Sequence, residues 1–231
     1  TWRVGTPAGL VVGILAAVMG DIANLQAGVV YSRFLIIHWD VLVRAILFIT
    51  IVILIARLKS SIEREKLFAR KDFLTGIANR KAFFEMAERE IETSHRYGTP
   101  ITVAYLDCDN FKAINDTFGH PAGDSLLRFT AETINKNVRK SDIVARVGGD
   151  EFVIILSAAG REYAEAAVRK VHGALMDMVE KNEWPATFSI GVVTYRHSPY
   201  SVDEMVKGAD NLMYIAKKVG KNTIKHEVFS K

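Results

Sequence analysis

Hydrophobic positions follow two regimes along the chain. In the first quarter they run almost unbroken: Val4 to Gly20 carries no charge, and Phe34 to Ala56 is apolar apart from His38, Asp40 and Arg44. A helix that spans a membrane needs roughly 20 mostly apolar residues, with about 17 as a lower limit. The second stretch meets that length. The first is borderline, because Gly5, Pro7, Gly9 and Gly13 weaken it as a helix. Asp40 and Arg44 stand one helical turn apart, so they share a face and can pair.

After Ala56 the pattern becomes periodic. Leu58 to Lys71 reads as a charged helix, with Leu58, Ile62, Glu65, Ala69 and Asp72 at alternating spacings that make a short, polar coiled-coil seam. Lys81 to Tyr97 predicts an amphipathic helix stopped by Gly98 and Pro100. Further helices are predicted over Asp124 to Val138, Glu162 to Val179 and Val202 to Lys218. Runs rich in branched residues predict strands over Ile101 to Leu106, Ile143 to Val147, Phe152 to Leu156 and Thr187 to Tyr195. The second and third of these flank a Gly-Gly turn and form a hairpin. Strands alternating with helices predict one α/β sandwich domain. The chain thus divides into a membrane region (1–56) of two transmembrane helices, a linking helix (57–71) and an α/β domain (72–231).

Charge sets the orientation. Arg57, Lys59, Arg64, Lys66, Arg70 and Lys71 follow the second apolar stretch, whereas the connecting segment Asp21 to Arg33 offers only Arg33. The positive-inside bias puts everything after Ala56 in the cytoplasm, and Tyr31 and Trp39 suit the opposite interface. The sequence opens at Thr1 rather than methionine, so residues upstream are expected and the two spans are a minimum. A net charge of +4, spread along 231 residues, lacks the dense basic face of a nucleic-acid binder. Cys108 is the only cysteine, which excludes an intrachain disulfide and suits a reducing compartment.

Two acidic clusters carry candidate chemistry. Gly148-Gly149-Asp150-Glu151-Phe152 occupies the predicted hairpin turn, where glycines let the backbone approach a ligand and the acids are poorly placed for a core. Leu106-Asp107-Cys108-Asp109 ends the earlier strand. Carboxylates at the ends of neighbouring strands can converge on Mg²⁺, a hard ion that takes oxygen ligands. Either cluster alone is equally a solvated turn; together they predict a metal site.

With these motifs the sequence resembles the GGDEF family of diguanylate cyclases, from Asp72 to about Thr223. The likeness includes Asp72-Phe73-Leu74-Thr75, Asn79-Arg80, Asp107-Cys108-Asp109-Asn110-Phe111-Lys112, Ile114-Asn115-Asp116, Gly119-His120 and Gly123-Asp124. It continues through Ala209-Asp210, Met213-Tyr214, Ala216-Lys217 and Gly220-Lys221-Asn222. It implies a palm-like nucleotidyl-cyclase fold with a central, mostly antiparallel sheet, preceded by transmembrane helices. The implied reaction joins two GTP molecules into cyclic di-GMP and two pyrophosphates. Each domain holds one GTP, so a homodimer is implied. The location implied is the bacterial inner membrane, multi-pass, with the lipid bilayer as a partner and the catalytic domain in the cytoplasm.

The resemblance also assigns roles. Asp107 and Asp150 hold two Mg²⁺ or Mn²⁺ ions per site, with the main-chain carbonyl of Cys108 as a further ligand; a carbonyl ligand does not depend on side-chain identity, and Cys108 is not a catalytic thiol. Glu151 binds metal or accepts the proton. Gly148 and Gly149 admit the substrate, and the N–H groups of Phe111 and Lys112 bind the terminal phosphates. Lys217 and Lys221, spaced by one turn on the last helix, add positive charge there, although two such lysines are also an ordinary solvated face. Asn115 and Asp124 select guanine, whose N1–H and amine a carboxylate can accept; an aspartate after glycine is also a common helix N-cap. Arg139 and Asp142 match an RxxD product-inhibition site, for which a surface ion pair is the plain alternative. A degenerate, purely binding member would have lost an acid at Asp107, Asp150 or Glu151, and none is lost.

Overall fold

A long apolar run and the charged segment after it form a single long helix, α1 (Phe34–Phe68), of 35 residues. Within it Val41–Ser60, 20 residues, is long and apolar enough to cross a membrane by length and composition. Its large aliphatic side chains, Leu42, Ile46, Leu47 and Leu54 among them, are exposed rather than packed into a protein core. The computed structural model describes residues 34–68 and 70–229, which belong to two units divided between Ala69 and Arg70. The expected span Val4 to Gly20, the connecting segment, Ala69 and the Asp40 side chain lie outside the described residues.

The linking helix ends earlier than its charge pattern predicts. α1 stops at Phe68, and Asp72 sits in a turn rather than on a seam. Its carboxylate accepts from the Thr75 N–H at 2.9 Å and the Thr75 hydroxyl at 2.6 Å, which folds the chain back instead of continuing a helix.

The second unit is built on six strands. They are β1 (Ala78–Asn79), β2 (Ile101–Asp109), β3 (Ile143–Arg146), β4 (Glu151–Leu156), β5 (Thr187–Tyr195) and β6 (Ile224–Phe229), ordered β1-β3-β4-β2-β5-β6. The interior pairings β3–β4, β4–β2 and β2–β5 are antiparallel, and the edge pairings β1–β3 and β5–β6 are parallel. The sheet is therefore mixed, with an antiparallel centre. β2 and β5 are buried almost throughout, as their near-continuous apolar sequence requires.

Helices cover both faces. α2 (Arg80–Tyr97), opened by Asn79 accepting from the Ala82 N–H and closed by left-handed Gly98, packs with α6 (Val202–Val219) on one side. α3 (Phe111–Phe118), α4 (His120–Asn137) and α5 (Arg161–Lys181) cover the other, over a core that contains Leu106, Cys108, Phe152 and Phe188. Gly191 on β5 fixes how closely α6 approaches: a Cβ there would overlap the Ala209 carbonyl and the Met213 N–H.

Two of the shifted boundaries bear on the site. The helix expected from Asp124 begins at His120, with Pro121 in its first turn, so Asp124 lies inside the helix and Gly119 holds the N-cap position. α6 ends at Val219, where Gly220 adopts φ 139°. Lys217 is therefore helical, but Lys221 lies beyond the helix in a left-handed turn, correcting the expectation that one helix face carries both.

Candidate functional site

The register of β2 and β4 brings the two acidic clusters together. Asp107 lies directly across from Glu151, and the Cys108 N–H donates to the Asp150 carbonyl at 3.2 Å. The hairpin closes through Val147 N–H to Glu151 O at 3.0 Å. The Glu151 carboxylate folds over the Cα of Gly148, where a Cβ would overlap it unless that side chain moved. Gly149 faces open space. The guanidinium of Arg146 holds the turn from below, donating to the Gly149 carbonyl at 3.1 and 2.6 Å and to Asp72 Oδ1 at 3.0 Å.

The acids sit in an unusual electrostatic setting. Burial pushes the Asp107 carboxyl up to about 6; the Lys217 ammonium opposes this, while Asp150 and Glu151 add to the rise. Lys217 Nζ lies 2.6 Å from Asp107 Oδ1, and although burial pulls its pKa down, that pairing raises it overall. The contact is ionic in character, since the buried Oδ1 has no hydrogen-bond partner of good geometry. Alternation along β2 points Cys108 the other way, into the core, at 2% exposure. Burial pushes its thiol far above the ordinary range, so the side chain is unreactive.

This arrangement fits a divalent ion. Among the described residues no three His, Cys, Asp or Glu side chains form a closed cage. Mg²⁺ does not require one, since it is held by one or two carboxylates together with substrate phosphates and water. Asp107, buried and facing a second acidic strand end with its Oδ1 held by the Lys217 ammonium, has the chemistry such a partial site needs.

Beside the acids, α3 starts at Phe111 from Asn110, which adopts φ 63° and makes no side-chain cap. Its first N–H groups, those of Phe111 and Lys112, have no partner within the helix. Lys221 Nζ reaches across to Asn110 Oδ1 at 2.8 Å, so both predicted lysines are at this corner despite their different elements. Further along, the Asn115 side chain lies against Gly123, where a Cβ would overlap its amide, and Asp124 follows on α4. Asn115 and the segment bearing Asp124 are thus in contact, and the capping alternative for Asp124 is removed.

Arg139 and Asp142 stand apart from this corner, at the far end of β3. Arg139 N–H donates to Asp142 Oδ2 at 2.8 Å, and the guanidinium lies 3.8 Å from the Tyr163 ring centroid. The two side chains do not form an ion pair; Asp142 serves the turn, and Arg139 stacks beside an open groove lined by Tyr163, Ala166 and Lys170. Two further residues support the site: Tyr105, which no motif singled out, and Asp109, which the motif reading grouped with the metal-binding acids. Tyr105 lies two residues before Asp107 on the same face of β2; burial first, then the Glu151 and Asp210 charges, hold its hydroxyl well above the ordinary range. Asp109, at 2% exposure, binds Thr187 and Ser189 rather than facing the acids.

An antiparallel-centred sheet with acidic strand ends beside uncapped helix N–H groups defines a palm-like α/β domain. The chain belongs to the GGDEF family: the model for "Diguanylate cyclase, GGDEF domain" matches residues 57–223. It is 34% identical over 178 residues to the probable diguanylate cyclase DgcT of Escherichia coli, covering 75% of this chain and 39% of that protein. It is 36% identical over 157 residues to diguanylate cyclase DosC of the same species, covering 66% of this chain and 34% of DosC. The chain therefore spans little more than a third of the length of these relatives. Among solved structures, the GGDEF domain of DgcB from Caulobacter crescentus, in complex with c-di-GMP, superposes with a TM-score of 0.61 at 29% identity. That match covers 68% of this chain and 95% of the DgcB domain.

Proposed function

We propose that the chain is a membrane-anchored diguanylate cyclase that condenses two GTP molecules into cyclic di-GMP and two pyrophosphates. The observation that carries this reading is the juxtaposition of Asp107 and Glu151 across β2 and β4 beside the uncapped start of α3. Phosphoryl transfer depends on positioning and on neutralising charge, and these groups supply both. The Phe111 and Lys112 N–H groups and Lys221 bind the terminal phosphates. Asn115 and Asp124 hold the guanine edge. Asp107, Asp150 and the Cys108 carbonyl are the residues that would hold Mg²⁺ or Mn²⁺; when bound, such ions neutralise phosphate charge and acidify the attacking 3′-hydroxyl. Glu151 supplies a further ligand oxygen or accepts the hydroxyl proton.

One GTP per domain makes a homodimer necessary, with two sites facing each other. Residues 1–56 form the membrane region, with Val41–Ser60 supporting one span, 57–71 the linker and 72–231 the cyclase. The basic flank after Ala56 puts the cyclase on the cytoplasmic side of a bacterial inner membrane. Product binds at Arg139 and Asp142 and inhibits; the open groove beside the stacked Arg139 supports this part of the reading.

The test is direct. The full chain in detergent micelles, given GTP and Mg²⁺, yields cyclic di-GMP and pyrophosphate, and Glu151→Gln abolishes turnover while leaving the melting transition in place. Protein that is dimeric and binds GTP and Mg²⁺ but makes no product overturns the enzymatic reading in favour of a nucleotide-binding module.

A further inference from the structure

Asp109 is one of two nearly fully buried carboxylates on β2, and the chemistry assigned above leaves it without a task. Its Oδ2 accepts from Thr187 Oγ1 at 2.7 Å, Ser189 Oγ at 3.1 Å and the Asn222 N–H at 3.2 Å; its Oδ1 accepts from Ser189 Oγ at 2.9 Å. The first two donors belong to the neighbouring strand β5 and are adaptable hydroxyls. The Asn222 N–H differs from them, because it comes from the turn after α6 and is separated from Asp109 by 113 positions.

That turn is held against its own preference. Lys221 and Asn222 adopt φ 60° and 45°, and Asn110, which Lys221 contacts, adopts φ 63°. Three of the five non-glycine residues with positive φ among those described therefore meet at one corner. Asparagine tolerates this region, but a lysine such as Lys221 persists there only where surrounding contacts fix it. Asp109 fixes the Asn222 main chain from the sheet side, and His172 on α5 fixes the Asn222 side chain, Nε2 to Oδ1 at 2.9 Å. With Asn222 anchored, Lys221 is left with its ammonium aimed at the start of α3.

We infer that Asp109 is a positioning residue for nucleotide binding, acting through Asn222 to aim Lys221 at the substrate's terminal phosphates. It touches neither substrate nor metal. The inference rests on the phosphate-binding role proposed for Lys221. It extends that role by naming the buried carboxylate that makes the lysine's placement possible.

The experiment is a double-mutant cycle on the full chain in detergent, reading the Kd for a non-hydrolysable GTP analogue with Mg²⁺ and the kcat at saturating GTP. Asp109→Ser leaves a hydroxyl to satisfy Ser189 and Thr187 but falls short of Asn222. It should weaken the analogue about tenfold, by the loss of one charged phosphate contact, with the loss lying in Kd rather than kcat. Lys221→Ala should weaken it by a similar factor, and the double variant should be no weaker than Lys221→Ala alone. Asp109→Asn keeps one oxygen for the Asn222 N–H and should restore the wild-type Kd. Full additivity in the cycle, or an Asp109→Ser variant that loses kcat with Kd unchanged, overturns the positioning role while leaving Lys221 in its own. A Lys221→Ala variant with unaltered Kd overturns the phosphate reading first and this inference with it. Should Asp109→Ser fail to fold, amide exchange in the unaltered protein decides: the Asn222 N–H should exchange as slowly as the neighbouring β6 amides, and fast exchange overturns the anchoring.

Discussion

Arg146 is the residue at which stability and the Gly-Gly-Asp-Glu turn meet, and its removal should be felt in both. Its side chain is 12% exposed and that of Asp72 15%, with 3.0 Å between Nη1 and Oδ1. Removing one partner of a buried ion pair typically costs about 3–5 kcal/mol, because the other charge stays buried and uncompensated. Asp72 keeps its two bonds from Thr75, so the lower end, about 3 kcal/mol, is expected for Arg146→Ala. In a domain of this size that corresponds to a drop in Tm of roughly 6–12 °C. Trp184, which packs against Phe129 at a centroid separation of 5.9 Å, is the only tryptophan after Trp39 and reports the transition by fluorescence. The same variant strips the Gly149 carbonyl of both its guanidinium donors, so turnover should fall further than stability alone explains. Acidity gives a second handle. Burial raises the Asp72 pKa, but the Thr75 hydrogen bonds and Arg146 outweigh it and leave the pKa below the ordinary 3.8. The stabilisation is therefore complete above that value and disappears as pH falls through the lower folded one. The gap between wild type and Asp72→Asn should be constant at neutral pH and close in strong acid. A Tm change under about 2 °C for Arg146→Ala would refute this account of the clamp.

Other outcomes follow from the site. Asp107, raised to about 6, favours the metal-free fold below the ordinary carboxylate value and loses that contribution as pH rises through 6, so Mg²⁺ should raise Tm more at pH 7.5 than at pH 5.5. Asp124→Ser should lower the preference for GTP over ATP by about tenfold in a competition assay, within the 1–3 kcal/mol of an unpaired polar group; an unchanged ratio would remove Asp124 from base selection. Arg139→Ala should let cyclic di-GMP accumulate to higher levels than wild type. Equal inhibition of both proteins would reduce Arg139 to a surface residue stacked on Tyr163.

Much of this was legible because local and global signals agreed. Thr187 to Tyr195 is mostly apolar and rich in β-branched residues, and forms a strand over those same residues. The Gly-Gly hairpin was readable from its turn and its flanking branched residues. α3 was not: eight residues, FKAINDTF, are too few and too polar to display a helical period, and Asn110 starts it without a capping bond. The start of α4 was hidden behind Gly119 and Gly123, although Pro121 in the first turn was an available signal. β6, IKHEVF, mixes charge into a half-buried edge strand that pairs only with β5, and its parallel register is a tertiary property. Asp109 fell within a motif that suggested metal, yet its donors come from β5 and from the turn after α6. Strand pairing and helix docking decide that, and no local pattern carries it.

The link from Lys221 to Asn110 has a consequence in time as well as space. Its two ends are 111 positions apart, so at 5–20 residues per second a ribosome needs on the order of ten seconds to add the second after the first. α1, by contrast, lies wholly upstream of Asn110 and is complete before either end of that link exists. A nascent or prematurely terminated chain lacking Asn222 would carry every acid of the Gly-Gly-Asp-Glu turn and still have Asp109 buried without its main-chain partner. On the proposed function, such a chain has its acids in place but lacks the corner that would hold the nucleotide phosphates.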